Sequence, residues 1–159
     1  MWNSTEYRKT LGTFATGVTI ITTHHEGHDY GFTANSFTSV SLDPPLVLFC
    51  IKEGASFIEG LRVSQVFGIN ILSQDQEDLS NRFANPALLN EERFAGTDTT
   101  LSKLSCPKIR GSLAYLDCKV EEIIKSGDHY IAIGAVDSFS RAPEGSPLLY
   151  YSGGYKQLI

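Results

Sequence analysis

The sequence has few cysteines and no long apolar run, and both absences limit what the protein can be. Its three cysteines, Cys50, Cys106 and Cys118, have no CxxC spacing. An odd number without that spacing argues against a disulfide framework and against a thiolate metal site. No apolar run approaches the roughly 20 residues that cross a bilayer. The N-terminus has no uninterrupted apolar segment of the kind found in signal peptides, so we expect a cytoplasmic protein.

Positive charge is also scarce. Thirteen Lys and Arg residues stand against 18 Asp and Glu residues, which gives a net charge of −5. Nucleic acids and anionic membranes attract proteins with an excess of Lys and Arg, so neither is expected as the main partner. A small anionic ligand that is held by a few local donors remains compatible with this charge.

Several motifs of common enzymes are missing. No GxGxxG follows a strand and no GxxxxGK[ST] is present, so the usual phosphate-binding loops are absent. GxSxG is absent too, and Cys50 and Cys118 lie inside strand-like runs, where a free cysteine usually serves as a small buried apolar residue. The sequence therefore gives no support for covalent hydrolytic chemistry.

The composition predicts one globular domain over residues 1–159. Apolar residues make up 42% of the chain and charged residues 19%, and no repeat or linker interrupts it. About seven β-like segments are separated by hairpin-length turns, which favours a closed antiparallel barrel over a parallel sheet. These segments are GVTIITT, DYGFTAN, PLVLFCI, VFGINIL, IRGSLAYLDCKVEEII, HYIAIGAVDSFS and PLLYYSGGY.

Helix signals are few. Ser4 is predicted to cap an N-terminal helix, and Ser56 and Ser73 each begin a capping-box pattern with an acidic or amide residue three positions later. A helix that begins at Ser56 presents unpaired N–H groups, so this segment is either a phosphate site or an ordinary capped helix.

The stretch GFTANSFTSVSLDPPLVLFCI, residues 31–51, places hydroxyls directly before an apolar strand. Thr33, Asn35 and Ser36 can bond the edge of a polar heterocycle while the apolar strand forms a wall, which is the usual mixture in ligand pockets. The alternative is a hydrated edge strand that ends in a turn at 43–45. The wholly apolar run PLVLFCI predicts a strand buried on both faces.

The histidines fall into two groups. His24, His25 and His28 crowd one predicted hairpin, where we interpret them as solvated loop residues because no further ligand lies at zinc-type spacing. No metal site is predicted. His129 lies at the junction of a Gly-Asp turn and a strand, where a side chain can point into a site.

Taken in order, these segments resemble the short-chain flavin reductases, the reductase components of two-component flavin-dependent monooxygenases. The resemblance rests on TGVTIITT, GFTANSF…SLDPPL, VFGINIL, RFA, GSLAYLDC, GDHYIAIGAV and PLLYYSGGY, and it covers nearly the whole chain. It implies a mainly β fold, the FMN-binding split β-barrel with a few short helices, and a homodimer. The implied activity is NAD(P)H-dependent reduction of FMN or FAD, followed by release of reduced flavin to a partner oxygenase.

The resemblance also implies roles for particular residues. His129 would be the catalytic residue on the nicotinamide side, although hydride transfer itself needs no acid or base. The implied cofactor-binding residues are Thr33, Ala34, Asn35, Ser36, Ser39, Val40, Phe49, Cys50, Ile51, Ser56, Arg82, Phe83, His129, Tyr130, Tyr151 and Gly153. Of these, Ser56 would help to hold the flavin phosphate, and Arg82 and Phe83 would close the phosphate and ring side.

Three other functions remain open from the sequence. The same barrel could be a flavoprotein oxidase of the pyridoxamine-phosphate-oxidase type, but Lys and Arg do not cluster as a phosphorylated substrate would require. It could also be a flavin carrier without turnover, or a small-ligand barrel that does not use flavin.

Overall fold

The computed structural model describes residues 2–158, so Met1 and Ile159 of the predicted domain lie outside the described residues. Its main feature is a seven-stranded antiparallel sheet, which confirms the mainly β prediction. The strands in chain order are β1 (Thr16–Gly17), β2 (Thr19–His25), β3 (His28–Ala34), β4 (Thr38–Leu42), β5 (Pro45–Lys52), β6 (Val66–Ile71), β7 (Thr99–Leu101), β8 (Pro107–Ile109), β9 (Ala114–Ser126), β10 (His129–Arg141), β11 (Leu149–Tyr151) and β12 (Gly154–Lys156).

The large sheet has the order β3-β2-β6-β9-β10-β5-β4, so two consecutive strands of the chain occupy its opposite edges. Only residues 35–37 join β3 to β4, which limits the Ala34–Thr38 separation to about 14 Å. The outer strands of a flat seven-stranded sheet would lie about 29 Å apart. The sheet must therefore curl until its two edges approach each other.

The curled sheet does not close. Among residues 2–158, β3 and β4 form no ladder with each other, so the closed barrel predicted from the strand pattern is wrong and the split barrel is right. The connection 35–37 crosses the split. A three-stranded sheet, β1-β11-β12, and the hairpin β7-β8 complete the strand structure.

The helices are short: α1 (Ser4–Gly12), α2 (Ser56–Ser64), α3 (Glu77–Ala84) and α4 (Asn90–Phe94). None of the helices within residues 2–158 is both long enough and apolar enough to span a bilayer. The capping box of Ser73 and Gln76 is confirmed, and it starts a 3₁₀ turn that leads into α3.

Two predicted caps are wrong. The side chain of Asn3, rather than Ser4, accepts the N–H groups of Thr5 and Glu6 at 3.1 Å each. Ser56 is the first residue of α2 and not its cap, because the capping position falls on Ala55, which offers no side-chain acceptor. The Ser56 hydroxyl is thereby left for other contacts.

Strand β5 is not buried on both faces as its apolar sequence predicts. Val47, Phe49 and Ile51 are buried, whereas the alternate residues are only half-buried. The buried face packs on α2, where the Phe49 ring meets the Phe57 ring edge-on with centroids 6.3 Å apart. Phe49 also meets Phe67, on β6, edge-on with centroids 4.9 Å apart. These aromatic contacts form the centre of the main core. In contrast, β6 is buried on both faces.

Candidate functional site

A cavity of about 770 Å³ lies at the split of the barrel. It lies between the β3–β4 connection, the end of β5 with the start of α2, and the segment 83–93. The residues that line it are Phe32, Thr33, Ala34, Asn35, Ser36, Cys50, Ile51, Lys52, Glu53, Gly54, Ala55, Ser56, Phe57, Phe83, Ala84, Pro86, Leu88, Leu89, Asn90, Glu91, Arg93 and His129. This mixture of an apolar wall and a few polar groups is typical of a ligand site.

Two hydroxyls that line the cavity, those of Thr33 and Ser36, also form hydrogen bonds within the protein. Thr33 Oγ1 donates to the Ser80 carbonyl at 2.6 Å and so fixes β3 to α3. Ser36 Oγ accepts the Cys50 N–H at 2.9 Å, which fixes the β3–β4 connection to β5. Both hydroxyls retain lone pairs, and both residues line the cavity.

Asn35 differs from its neighbours because it is exposed and its amide makes no hydrogen bond within residues 2–158. It borders the main cavity and two adjoining cavities. An amide that offers both donors and acceptors at such a junction suits the edge of a polar ring. The stretch therefore serves two purposes: residues 33–36 line the cavity, while residues 38–42 form the predicted edge strand.

Sequence reasoning missed the wall formed by α4 and the residues before it. Asn90 and Arg93 hold this wall against β3: Asn90 Oδ1 accepts the Gly31 N–H at 3.2 Å, and Arg93 Nη1 donates to the Gly31 carbonyl at 2.9 Å. These two bonds satisfy backbone N–H and carbonyl groups of the edge strand β3 from outside the sheet. The acidic residues in the first turn of α4 and the arginine in its last turn indicate a helix in the sequence, but they do not show which strand that helix covers.

Gly31 has to be a glycine for this wall to fit. A Cβ atom at position 31 would lie 2.7 Å from Phe83 Cε1 and 3.0 Å from Phe94 Cζ. The Phe83 and Phe94 rings pack edge-on with centroids 4.9 Å apart, and Phe83 is 1% exposed. The missing side chain at position 31 thus lets α3 and α4 approach the edge of the barrel.

The structure brings together many of the predicted site residues. Those that line the cavity are Thr33, Ala34, Asn35, Ser36, Cys50, Ile51, Ser56, Phe83 and His129. Gly153 lines an adjoining cavity of about 370 Å³, which shares Thr33 and Asn35 with the first.

The other predicted site residues line neither of these two cavities. Ser39 and Val40 are exposed on the edge strand β4, and Tyr151 is 41% exposed. Phe49 belongs to the core, and Tyr130 packs against that core with the Arg62 guanidinium 4.9 Å from its ring centroid. These residues lie outside the wall that a ligand in the cavity would touch.

Arg82 also lines neither cavity. Its Nη1 donates to the Ala95 carbonyl at 2.8 Å and approaches the Arg93 carbonyl at 3.4 Å and Thr97 Oγ1 at 3.3 Å. It therefore binds carbonyls at the end of α4 and fixes the segment that carries Arg93.

His129 lies at the start of β10, paired with Lys52 across the ladder to β5. Its Nδ1 lies 2.7 Å from Asp128 Oδ1, and the hydrogen bond from His129 lowers the pKa of Asp128. The neighbouring carboxylate orients the ring at the rim of the cavity.

The other histidines lie on the β2–β3 hairpin, but in its strands rather than in the predicted loop. His24 and His25 end β2 and are half-buried, whereas His28 begins β3 and is exposed. His24 Nδ1 lies 2.6 Å from Asp29 Oδ1. Residues 2–158 contain no group of three or more His, Cys, Asp or Glu side chains suited to hold a metal ion.

The buried cysteines are not nucleophiles. Burial raises the pKa of Cys106 and of Cys118 to about 12, so both stay protonated near neutral pH. Cys50 is the thiol that borders the cavity, and it is half-buried. Cys106 and Cys118 do not line this cavity, whose other groups suit the binding and positioning of a ligand.

A flavin nucleotide fits these residues chemically. The apolar and aromatic wall, with Phe32 and Phe57, suits a flat ring, and Asn35 suits the polar edge of that ring. At another part of the wall, Ser56, Asn90 and Arg93 offer donors to an anion.

Comparisons with known proteins agree with this fit. Residues 11–158 match the family model of the flavin reductase like domain. The reductase subunit of a flavin-dependent monooxygenase from Mycobacterium tuberculosis is 42% identical over 151 residues, 94% of this chain and 79% of that protein. An NADH-dependent flavin reductase from a Rhodococcus species is 40% identical over 155 residues, 95% of this chain and 84% of the relative.

A solved structure shares the fold. The NADH:FAD oxidoreductase of Streptomyces globisporus, in complex with NAD and FAD fragments, superposes with a TM-score of 0.92 at 34% identity. The match covers 99% of this chain and 93% of that chain.

Proposed function

This chain belongs to the flavin reductase like domain family, and we propose that it binds flavin in the cavity at the split of the barrel. The protein is a flavin reductase that takes its electrons from a nicotinamide nucleotide. The observation that carries the proposed site is the convergence of residues 33–36, Cys50, Ser56, Phe83 and His129 on one cavity. A titration of FMN and FAD against the protein, followed by flavin fluorescence, tests whether the site takes either nucleotide.

The protein contributes position rather than chemistry. The hydride passes from the nicotinamide to the flavin by the cofactors' own chemistry. The apolar wall and the amide of Asn35 would hold the flavin ring by its face and its polar edge. The open rim beside His129 leaves room for a nicotinamide, and holding two rings at reacting distance is worth several orders of magnitude in rate.

We predict that His129→Ala raises the KM for NADH by roughly tenfold, as expected for the loss of one hydrogen-bonding side chain. The dissociation constant of FMN should change by less than about twofold, because a loss of this one rim contact leaves the other cavity walls in place. Steady-state NADH oxidation and FMN titration measure the two effects. His25→Ala, on the distant hairpin, is the matched control. An unchanged KM for NADH would remove His129 from the nicotinamide side.

We also propose that reduced flavin passes to a partner oxygenase. The support is that the Mycobacterium tuberculosis relative is named as the reductase subunit of a flavin-dependent monooxygenase. Because the relatives are named as reductases, they also favour a reductase over a flavin carrier or an oxidase. The cavity is open at its rim, which suits a flavin that leaves after reduction.

We further propose a homodimer in a reducing compartment such as the cytoplasm. Trp2, Leu11 and Phe14, in or beside α1, are 76%, 55% and 77% exposed, and Leu42 of the edge strand is 93% exposed. Such exposed apolar residues favour burial against a second copy. Light scattering that gives the mass of one chain would contradict the dimer.

The three free thiols suit a reducing compartment.

A further inference from the structure

The guanidinium of Arg93 has more donors than protein partners. Its Nη1 donates to the Gly31 carbonyl and its Nη2 to the Asn85 carbonyl, each at 2.9 Å. A guanidinium carries more N–H groups than these two bonds use. Its Nε is buried and has no hydrogen-bond partner within the described chain. A buried donor without an acceptor is costly, so the protein alone leaves this side chain incompletely satisfied.

The charge of Arg93 also lacks a counter-ion. The ion pairs found within residues 2–158 include none to Arg93. Its two acceptors are carbonyls, which solvate the charge but do not neutralise it. Burial lowers the pKa of Arg93, which reflects the cost of holding the cation there. Because this partly buried cation has no carboxylate partner, an external anion can serve as its counter-ion.

Two of the polar residues that line the cavity with Arg93, Asn90 and Ser56, are linked to it by hydrogen bonds. Asn90 precedes it by three positions on α4, and Asn90 Nδ2 donates to Ser56 Oγ at 3.4 Å. Both α4 side chains also hold Gly31 through its N–H and its carbonyl. Arg93, Asn90 and Ser56 are thus fixed to one another through β3 and α2.

We infer that Arg93, rather than Arg82, is the cation that binds the phosphate group of the flavin nucleotide. The inference rests on the proposed use of the cavity as the flavin site. A guanidinium fork can donate two parallel bonds to phosphate oxygens, and such charge-assisted bonds are among the strongest in proteins. Arg82 is a positioning residue, because its guanidinium binds the carbonyls at the end of α4.

The test compares FMN with riboflavin, which has the same ring and no phosphate. Dissociation constants are measured by flavin fluorescence for the wild type and for Arg93→Gln. We expect the FMN constant to rise by roughly 10- to 100-fold, as for the loss of hydrogen bonds to a charged group. The riboflavin constant should change by less than about threefold, since neutral riboflavin makes no charge-assisted bond to Arg93. The ratio of the two constants depends only on folded protein, so partial unfolding of the variant does not hide the answer.

Two further variants sharpen the result. Arg82→Gln makes the same chemical change in a residue outside the cavity, and it should change the ratio of the FMN and riboflavin constants by much less than Arg93→Gln does. Arg93→Lys keeps the charge but not the fork, and it should recover part of the preference for FMN.

The outcomes separate this inference from the proposed function. If the wild type prefers FMN and Arg93→Gln keeps that preference unchanged, Arg93 is not the phosphate ligand, although the cavity remains the flavin site. If Arg82→Gln abolishes the preference and Arg93→Gln does not, the roles of the two arginines are reversed. If the wild type binds neither flavin, the proposed site falls and the inference falls with it.

Discussion

Gly31→Ala is expected to weaken flavin binding by at least about tenfold and to lower the free energy of unfolding by about 1–3 kcal/mol, the usual cost of overpacking. The added methyl group would meet Phe83 at 2.7 Å and Phe94 at 3.0 Å. Phe83 is enclosed and cannot move aside freely. The accommodating movement therefore falls on α4, whose Asn90 and Arg93 are bonded to the backbone of Gly31.

We expect Gly31→Ala to lose flavin affinity because the displaced helix α4 forms one wall of the cavity. Fluorescence titration with FMN and urea unfolding measure the two effects. Gly17→Ala is the matched control, since a Cβ there meets nothing within 4 Å, and both quantities should stay near the wild-type values. If Gly31→Ala binds FMN as tightly as the wild type, α4 does not form a wall of the flavin site.

Asp117→Ala is expected to lower the free energy of unfolding by about 3 kcal/mol, because several donors lose their shared acceptor. Asp117 is fully buried, and its carboxylate accepts from Ser102 Oγ at 2.8 Å, the Leu104 N–H at 2.8 Å and the Tyr115 hydroxyl at 3.1 Å. These bonds fasten the loop 102–106 to β9. Without the carboxylate, two hydroxyls and an N–H group are left without this acceptor.

Urea unfolding with an unchanged slope measures the effect. Asp98→Ala removes an exposed carboxylate that pairs with Arg110, and it should cost less than about 1 kcal/mol. Asp117 borders neither the main cavity nor the adjoining one, so the folded variant should bind FMN like the wild type. A loss of stability no larger than that of Asp98→Ala would show that the buried carboxylate does not hold the loop.

The parts of this fold that the sequence predicts are those set by local pattern. The strands follow from β-branched and apolar runs, and the Ser73 capping box follows from a spacing of three residues. The pattern of hydroxyls at residues 33–36 and the place of His129 indicate a possible site, but they are equally compatible with ordinary edge strands and turns, and the resemblance to a family is what favours the site.

The parts that the sequence does not predict depend on contacts between distant residues. Asn90 and Arg93 have no unusual local pattern, and their role appears only when α4 is seen against Gly31, about 60 residues earlier. The alternate burial of β5 could not be read from an apolar run, because the outward face is apolar as well. Arg82 and Arg93 are both arginines followed by phenylalanine, and only the structure separates the one that lines the cavity.

The most direct test of the central claim is NADH oxidation, followed by the loss of NADH absorbance, with FMN, with FAD and without added flavin. We expect oxidation that requires added flavin, saturates with it, and weakens when the cavity is altered by Gly31→Ala. No oxidation under any of these conditions, with NADPH also tried, would contradict a reductase that uses flavin as its substrate.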